Sequence, residues 1–401
     1  MSNLTFLHAD IKIKDIILFG FIEKDVSDKR RKHMPELMKD KYYNANSIHE
    51  LSLRIKAVYP SFQASDFVSD IIDKTWDALA LKGRMRQITT NLGKYLPSDY
   101  EQALAILDQV AAGYPAGFHD NALIYFPDFV EVYGQDECHW DVSIAALERY
   151  TQYSTAEFAV RPFIINHEKR MMAQMSIWAE HDNEHVRRLA SEGCRPALPW
   201  GQALTSFKKD PTLVLGILEQ LKEDPSLYVR KSVANNLNDI SKTHPDLVVQ
   251  TAMDWYGKNE YTDWIIKHGC RTLLKKGNRD VLAIFGVADA SCVDVYDFAL
   301  GAASVSIGED MTFSFKIRAK KAAKVRLEYG VHYVKANGGQ SRKIFQITES
   351  SFTANQEKTY VKTHSFADLS SRKHYPGTHS LTLIANGTEQ GRLDFEVLAA
   401  E

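Results

Sequence analysis

His185-Val186-Arg187-Arg188-Leu189-Ala190 returns 43 residues later as Tyr228-Val229-Arg230-Lys231-Ser232-Val233. Ile265-Ile266-Lys267-His268-Gly269-Cys270 is a weaker copy, and Phe158-Ala159-Val160-Arg161 reads as an earlier one. Asp182 and Asp224 stand just ahead of their copies, where a carboxylate can cap a helix. Apolar helical stretches, Leu213–Leu221 and Leu247–Trp255, fall between the copies. A fixed period of this length, with one motif on every second helix, marks stacked helix pairs rather than a closed bundle.

Working outward, the helical pattern runs from about 34 to 290. Leu51–Tyr59 is amphipathic and stops at Pro60, and Ser65 and Ser98 are positioned as N-caps of the next helices. After Ala288 the period changes from helical to alternating. Met311–Arg318, Val325–Tyr329, Leu381–Ile384 and Leu393–Val397 alternate with period two. Asn337-Gly338-Gly339, Pro376-Gly377 and Asn386-Gly387 separate such runs. The fold class expected is an α-helical HEAT-like repeat solenoid, residues 34–290, followed by an all-β immunoglobulin-like sandwich, residues 302–401. Residues 1–33 read as an appendage that ends in Lys29-Arg30-Arg31-Lys32, and Met34 could itself be a start.

The chain of 401 residues has a net charge of −2, so no global field points to nucleic acid. The charge is uneven. Residues 302–401 carry +4 and the remainder −6. Cys138, Cys194, Cys270 and Cys292 are too dispersed for a zinc ribbon, a cluster or a disulfide framework, and free thiols fit a reducing bacterial cytosol. The early apolar run Ile16–Ile22 is too short to span a bilayer. Gly-rich phosphate loops and the common hydrolase motifs are lacking. The reading therefore expects no cofactor, no metal and no membrane partner, and a monomer.

What remains are carboxylates and amides at unusual helix positions. Glu157 has Arg161 at i+4, the spacing of an ordinary surface ion pair. Glu192 has Arg188 at i−4 and Arg195 at i+3, again compatible with a plain ion-pair ladder, and Trp200 follows in a Pro199-containing turn. Asn235, Asn236, Asn238 and Asp239 crowd the end of one repeat helix, against helix propensity and against the dipole. Such a breach marks either a functional site or an amide ladder between repeats. Arg187, Arg188, Arg230, Lys231, Lys267, Arg271, Lys275 and Lys276 recur at similar helix positions, as a phosphate-tracking stripe or as a solvated face. Lys316, Arg318, Lys320, Lys321, Lys324 and Arg326 crowd eleven residues of the β region, as a phosphate grip or as guards of a sheet edge.

Three stretches, Glu157–Pro162, Val186–Trp200 and Tyr228–Lys242, with a weaker Trp264–Lys276, resemble the AlkC branch of the AlkC/AlkD family of HEAT-like-repeat DNA glycosylases. The resemblance spans about 34–290, and the β region resembles the immunoglobulin-like domain of part of that branch. It implies a monofunctional glycosylase acting on cationic N3-alkylated bases, 3-methyladenine and 3-methylcytosine, in double-stranded DNA. It implies action without base flipping, catalytic roles for Glu157, Glu192 and Asp239, and a site aromatic at Trp200. Arg161, Arg195, Asn235 and Asn236 fall in the same motifs. Asn235 stands where AlkD has a tryptophan, a departure from AlkD. The competing reading is a non-catalytic HEAT-repeat scaffold that binds DNA structures or a protein partner.

Overall fold

A computed structural model of the chain describes residues 37–115, 117–369 and 372–400. The expectations for residues 1–33 and for Met34 lie outside that range. Helices run from Met38–Tyr42 to Arg279–Ile284, and eight strands follow. Among the described residues no helix is long and apolar enough to cross a membrane.

Three repeat helices, Glu184–Gly193, Leu227–Ile240 and Glu260–Gly269, pack side by side, with the partner helices Glu168–Ala179, Thr212–Gln220 and Pro245–Trp255 behind them. The caps differ from the expectation by one or two residues. Asn183 and Ser226, not Asp182 and Asp224, accept the first free N–H groups; likewise Asp99 caps its helix in place of Ser98, and Gln63 rather than Ser65 precedes the next. Each of these donors is left over by the helix, and the residue two or three positions ahead reaches it best.

The recurring Arg has a structural reason. Arg187 Nη1 donates to the carbonyls of His181 and Asp182 at 2.9 and 2.7 Å, and Arg230 Nη1 donates to those of Asp224 and Pro225 at 2.8 and 2.7 Å. Each tethers the turn before its own helix and reaches the next repeat, Arg187 through Asp224 at 2.7 Å and Arg230 over the Tyr261 ring at 4.2 Å. Both are therefore removed from the expected phosphate stripe, Arg187 because its donors are spent on the turn and on Asp224, and Arg230 because it is held against its turn and the Tyr261 ring. The tryptophans repeat too, Trp178 Nε1 donating to Glu148 and Trp255 Nε1 to Glu219, both at 2.7 Å.

The sandwich starts earlier than expected. Strand β1 (Val293–Leu300) precedes β2 (Ser304–Ser306), β3 (Asp310–Ala319), β4 (Ala323–Val334), β5 (Gln340–Phe352), β6 (Glu357–Ser365), β7 (Gly377–Ala385) and β8 (Thr388–Leu398). One sheet has the order β1-β3-β6, the other β2-β8-β7-β4-β5. Phe313, Phe315, Leu327, Leu381, Phe366 and Phe395 fill the space between them, a core separate from that of the helices.

The two parts meet closely. Lys324 Nζ donates to the Phe285 carbonyl at 2.8 Å, the Ala288 N–H to the Lys324 carbonyl at 3.2 Å, and Lys267 Nζ pairs with Glu349 at 3.0 Å. Gly277 and Gly387, both at positive φ, lie back to back. A Cβ on Gly277 would stand 2.5 Å from the Gly387 carbonyl oxygen, so only glycine permits this approach.

Candidate functional site

A cavity of about 410 Å³ opens on the helical part. Its walls are mostly apolar: Met38, Tyr42, Tyr43, Leu81, Met85, Ile124, Phe158, Leu198 and Pro199, with Tyr228 and Trp200. The charged lining is Lys82, Glu157, Arg188, Glu192 and Arg195. Arg84 fixes one wall from behind, donating to the carbonyls of Lys39 and Tyr43, which ties the Met38–Tyr42 helix in place.

Two of the expected acids converge here. Glu157 lies in the turn before the Val160–Asn166 helix and Glu192 near the end of the Glu184–Gly193 helix. Arg188 joins them, with Nη2 at 2.6 Å from Glu157 Oε2 and 3.6 Å from Glu192 Oε1. Thr155 Oγ1 donates to Glu157 at 2.8 Å and accepts from Arg188 Nη1 at 2.9 Å. Arg195 continues the ladder, pairing with Glu192 at 2.6 Å and with Asp239 at 2.8 Å, and Lys242 closes it on Asp239 at 2.8 Å.

Burial opposes the Arg188 and Arg195 charges, yet the neighbouring carboxylates raise both above the ordinary guanidinium value. Three carboxylates thus face the buried Arg195 and the part-buried Arg188, and the half-exposed Lys242 offsets the third charge. An acid at a helix C-terminus costs ~0.3–1 kcal/mol against the dipole. Here that cost is offset by charge-assisted bonds. Among the described residues no protein donor reaches Glu157 Oε1 or Glu192 Oε2.

Other expected residues are placed differently. Arg161 does not pair with Glu157. It is buried, donates to the carbonyls of Gly193 and Arg195 at 2.9 Å and to that of Gln202, and burial lowers it to about 10. It clamps the loop that presents Trp200, and is closed off from DNA. Gly201 lets that loop lie against it, since a Cβ there would meet Arg161 Cδ at 3.3 Å. Trp200 itself is 66% exposed at the cavity lip with φ +62°, a conformation that costs a non-glycine residue ~1–3 kcal/mol.

The crowded amides turn out to be a ladder between repeats. Asn236 is fully buried and donates to the Ser191 carbonyl at 2.8 Å, so it cannot touch DNA. Asn238 accepts from Thr272, and Asn235 accepts from Arg271 at 3.0 Å. Asp239 is buried behind Arg195 and does not line the cavity.

The basic run of the sandwich is divided by topology. Lys316 and Arg318 lie on β3 against Asp297 and Asp294, and Lys320 pairs with Asp294. Lys324 and Arg326 lie on β4, in the other sheet, against Glu349. Arg326 is buried between Glu328 and Glu349, and Lys324 is spent on the junction, so neither can grip a phosphate. Lys321 is exposed in the turn.

A second cavity of about 280 Å³ at the junction is lined by Trp264, Lys267, His268, Arg271, Lys275 and Arg326. Burial, followed by the charges of Arg271 and Lys231, holds His268 below its ordinary value. That places Lys231, Lys267, Arg271 and Lys275 in one basic surface.

Lys82, Tyr42 and Tyr228 were not foreseen as site residues. Lys82 donates to the Trp200 carbonyl at 3.1 Å and sits 4.5 Å from the Phe158 ring. Tyr228 stacks under Arg188 at 5.0 Å and stands at the repeat position of His185. That ring, repeated just before Val186-Arg187 and Val229-Arg230, was the available signal. Beyond Tyr228 lies a polar recess where His119 and His185 stack at 4.2 Å, and burial lowers His119 to about 4. Among the described residues no group of three or more His, Cys, Asp or Glu is arranged to hold a metal ion.

The family model "DNA alkylation repair enzyme" matches residues 128–273, and "Uncharacterised protein YhaZ, C-terminal Ig-like domain" matches 294–399. The protein YhaZ of Bacillus subtilis (strain 168) is 49% identical over 355 residues, covering 88% of this chain and 98% of that one. The structure of the Pseudomonas fluorescens alkylpurine DNA glycosylase AlkC, bound to DNA containing an abasic site analog, superposes with a TM-score of 0.85 at 35% identity. It covers 90% of this chain and 99% of that one.

Proposed function

The chain belongs to the AlkC branch of the DNA alkylation repair enzymes, and from that premise we propose that it hydrolyses the N-glycosidic bond of cationic N3-alkylated bases, 3-methyladenine and 3-methylcytosine, in double-stranded DNA. The observation that carries the reading is the convergence of Glu157 and Glu192 on one aromatic-lined cavity, each with one carboxylate oxygen that no donor among the described residues reaches.

An alkylated base already carries positive charge and leaves readily. The barrier is the oxocarbenium character that develops on the sugar. Two carboxylates fixed beside an apolar wall stabilise that charge without reorganising, and one of them can take the proton of the attacking water. Arg188 holds the pair apart and in place. Trp200 and Tyr228 offer aromatic faces to a base or sugar, and Lys82 fixes the Trp200 loop. The exposed basic surface of Lys231, Lys267, Arg271 and Lys275 suits the phosphates of a duplex bent along the repeats, and the base need not leave the stack fully. Lys321, and the half-exposed Lys316, Arg318 and Lys320, would add weaker contacts.

The test is incubation of the purified protein with N-methylated duplex DNA, with chromatography of the released bases. Release of 3-methyladenine and 3-methylcytosine in the presence of EDTA, with no adduct trapped by borohydride, is expected. Tight binding of the DNA without any base release would favour the scaffold reading instead.

A further inference from the structure

Asp239 differs from the other two acids. Its side chain is 2% exposed, and both oxygens are occupied, Oδ1 by Lys242 at 2.8 Å and Oδ2 by Arg195 Nε and Nη2 at 2.9 and 2.8 Å. A carboxylate so enclosed touches neither a base nor a water in the cavity. Arg195 stands between it and the cavity. Its remaining terminal nitrogen, Nη1, donates to Glu192 Oε1 at 2.6 Å. A guanidinium is planar and always charged, so fixing one edge fixes the other. The backbone adds to this, because the Arg195 carbonyl accepts Arg161 Nη2 at 2.9 Å.

Resting on the glycosylase reading, we propose that Asp239 and Arg195 form a positioning couple for Glu192. Asp239 orients the guanidinium, the guanidinium orients the Glu192 carboxylate, and neither touches the substrate. The other charged or titratable groups around Glu192 among the described residues are Arg188 on its own helix, Glu157 on the far side of Arg188, Tyr228 on the facing helix and the buried Cys194 thiol, with Arg161 behind the Arg195 carbonyl. None of them contacts Asp239.

The couple makes an unusual demand on the variants. Removing the Arg195 charge disfavours the ionised Glu192, whereas removing the Asp239 charge leaves Glu192 with more positive surroundings and favours it. The two substitutions must therefore move the pH dependence in opposite directions. A purely structural role would lower activity without moving it.

The experiment is single-turnover release of 3-methyladenine from methylated duplex DNA from about pH 3.5 to 8, spanning the ordinary carboxylate range and corrected for spontaneous release, for wild type, R195Q, R195K, D239N, R195Q/D239N and E192Q. We expect R195Q to shift the acid limb up by roughly one unit or more, and D239N to shift it down. The double variant should return toward wild type. R195K should keep the limb in place with a lower plateau. On the plateau D239N should lose no more than ~10-fold, against ~10²–10³-fold for E192Q. D239N as inactive as E192Q at every pH would make Asp239 a reacting group and overturn the proposal. So would R195Q and D239N profiles that do not move while E192Q is dead, and that result would leave the glycosylase reading standing. Wild type that releases no base overturns both. Should circular dichroism show R195Q unfolded, R195K and D239N decide by the same criteria.

Discussion

Glu157 and Glu192 are 35 positions apart and share one cavity wall, whereas Lys316 and Arg326, ten positions apart, end in different sheets. In the repeat solenoid, successive helix pairs stack on one another, so a sparse pattern becomes a dense site. In the sandwich, the chain crosses from one sheet to the other between β3 and β4, so a dense pattern is dispersed. Lys316 and Arg318 meet β1, Lys324 and Arg326 meet β5, and every one of them finds a carboxylate within 4 Å. Density of charge along a chain therefore says little until the topology is known.

The largest effect expected bears on the first half of that contrast. Glu157→Gln and Glu192→Gln keep shape and remove charge, and each should slow base release by ~10²–10³, about 2.7–4 kcal/mol. Filter binding to the same DNA should be little changed. Near-normal release by both variants would break the contrast, since the convergence would then be structural.

Acidification should separate the two parts. His364 is buried between Tyr329 and Tyr333, 3.0 and 2.7 Å from their hydroxyls, and burial lowers it to about 4, with Arg372 and His374 adding to the effect. His374 and His379 are lowered by burial as well. A histidine kept neutral in the fold gives its full stability above its unfolded value near 6.5, and loses it as pH falls from there to about 4. His364 alone accounts for up to ~3 kcal/mol over that window. His119 in the helical part is lowered to the same degree, but the smaller sandwich carries His332, His364, His374 and His379 together and should unfold first. All six tryptophans lie in the helical part, so their emission should hold while far-UV strand signal falls below about pH 5. Simultaneous loss of both signals would contradict this.

Lys324→Glu should loosen the junction, since it sets a negative charge beside Glu349 and removes the bond to the Phe285 carbonyl. A loss of ~1–3 kcal/mol is expected, read as earlier proteolysis between the two parts. Unaltered proteolysis would return Lys324 to the free cations. The smallest effect belongs to Lys320→Glu and Lys321→Glu. Each phosphate that the protein ceases to neutralise should flatten the slope of log affinity against log salt by ~0.9, and these two substitutions together should change it by less than twice that amount. A larger change would mean that the turn grips DNA after all.

Much of the site was legible in the chain. Glu157, Glu192 and Trp200 stand in motifs that can be read directly, but the first two differ in repeat register, and only the stacked fold brings them together. The junction was less so. Gly277 and Gly387 belong to different parts of the chain, and nothing in either neighbourhood announces that their backbones touch.

The sequence by itself determined the architecture, because the helical and alternating periods bury one face each and cannot be exchanged. It also determined which residue types could stabilise a cation. Only the tertiary structure decided their roles. Arg161, Arg187 and Arg230 look like free cations in the chain, yet they donate to backbone carbonyls that only the assembled turns present. Asp239 looks equivalent to Glu192 until Arg195 is found between them. The physical reason is common to all four. A side chain's task is set by which partner satisfies it once water is excluded, and that partner is brought by the fold from tens of residues away.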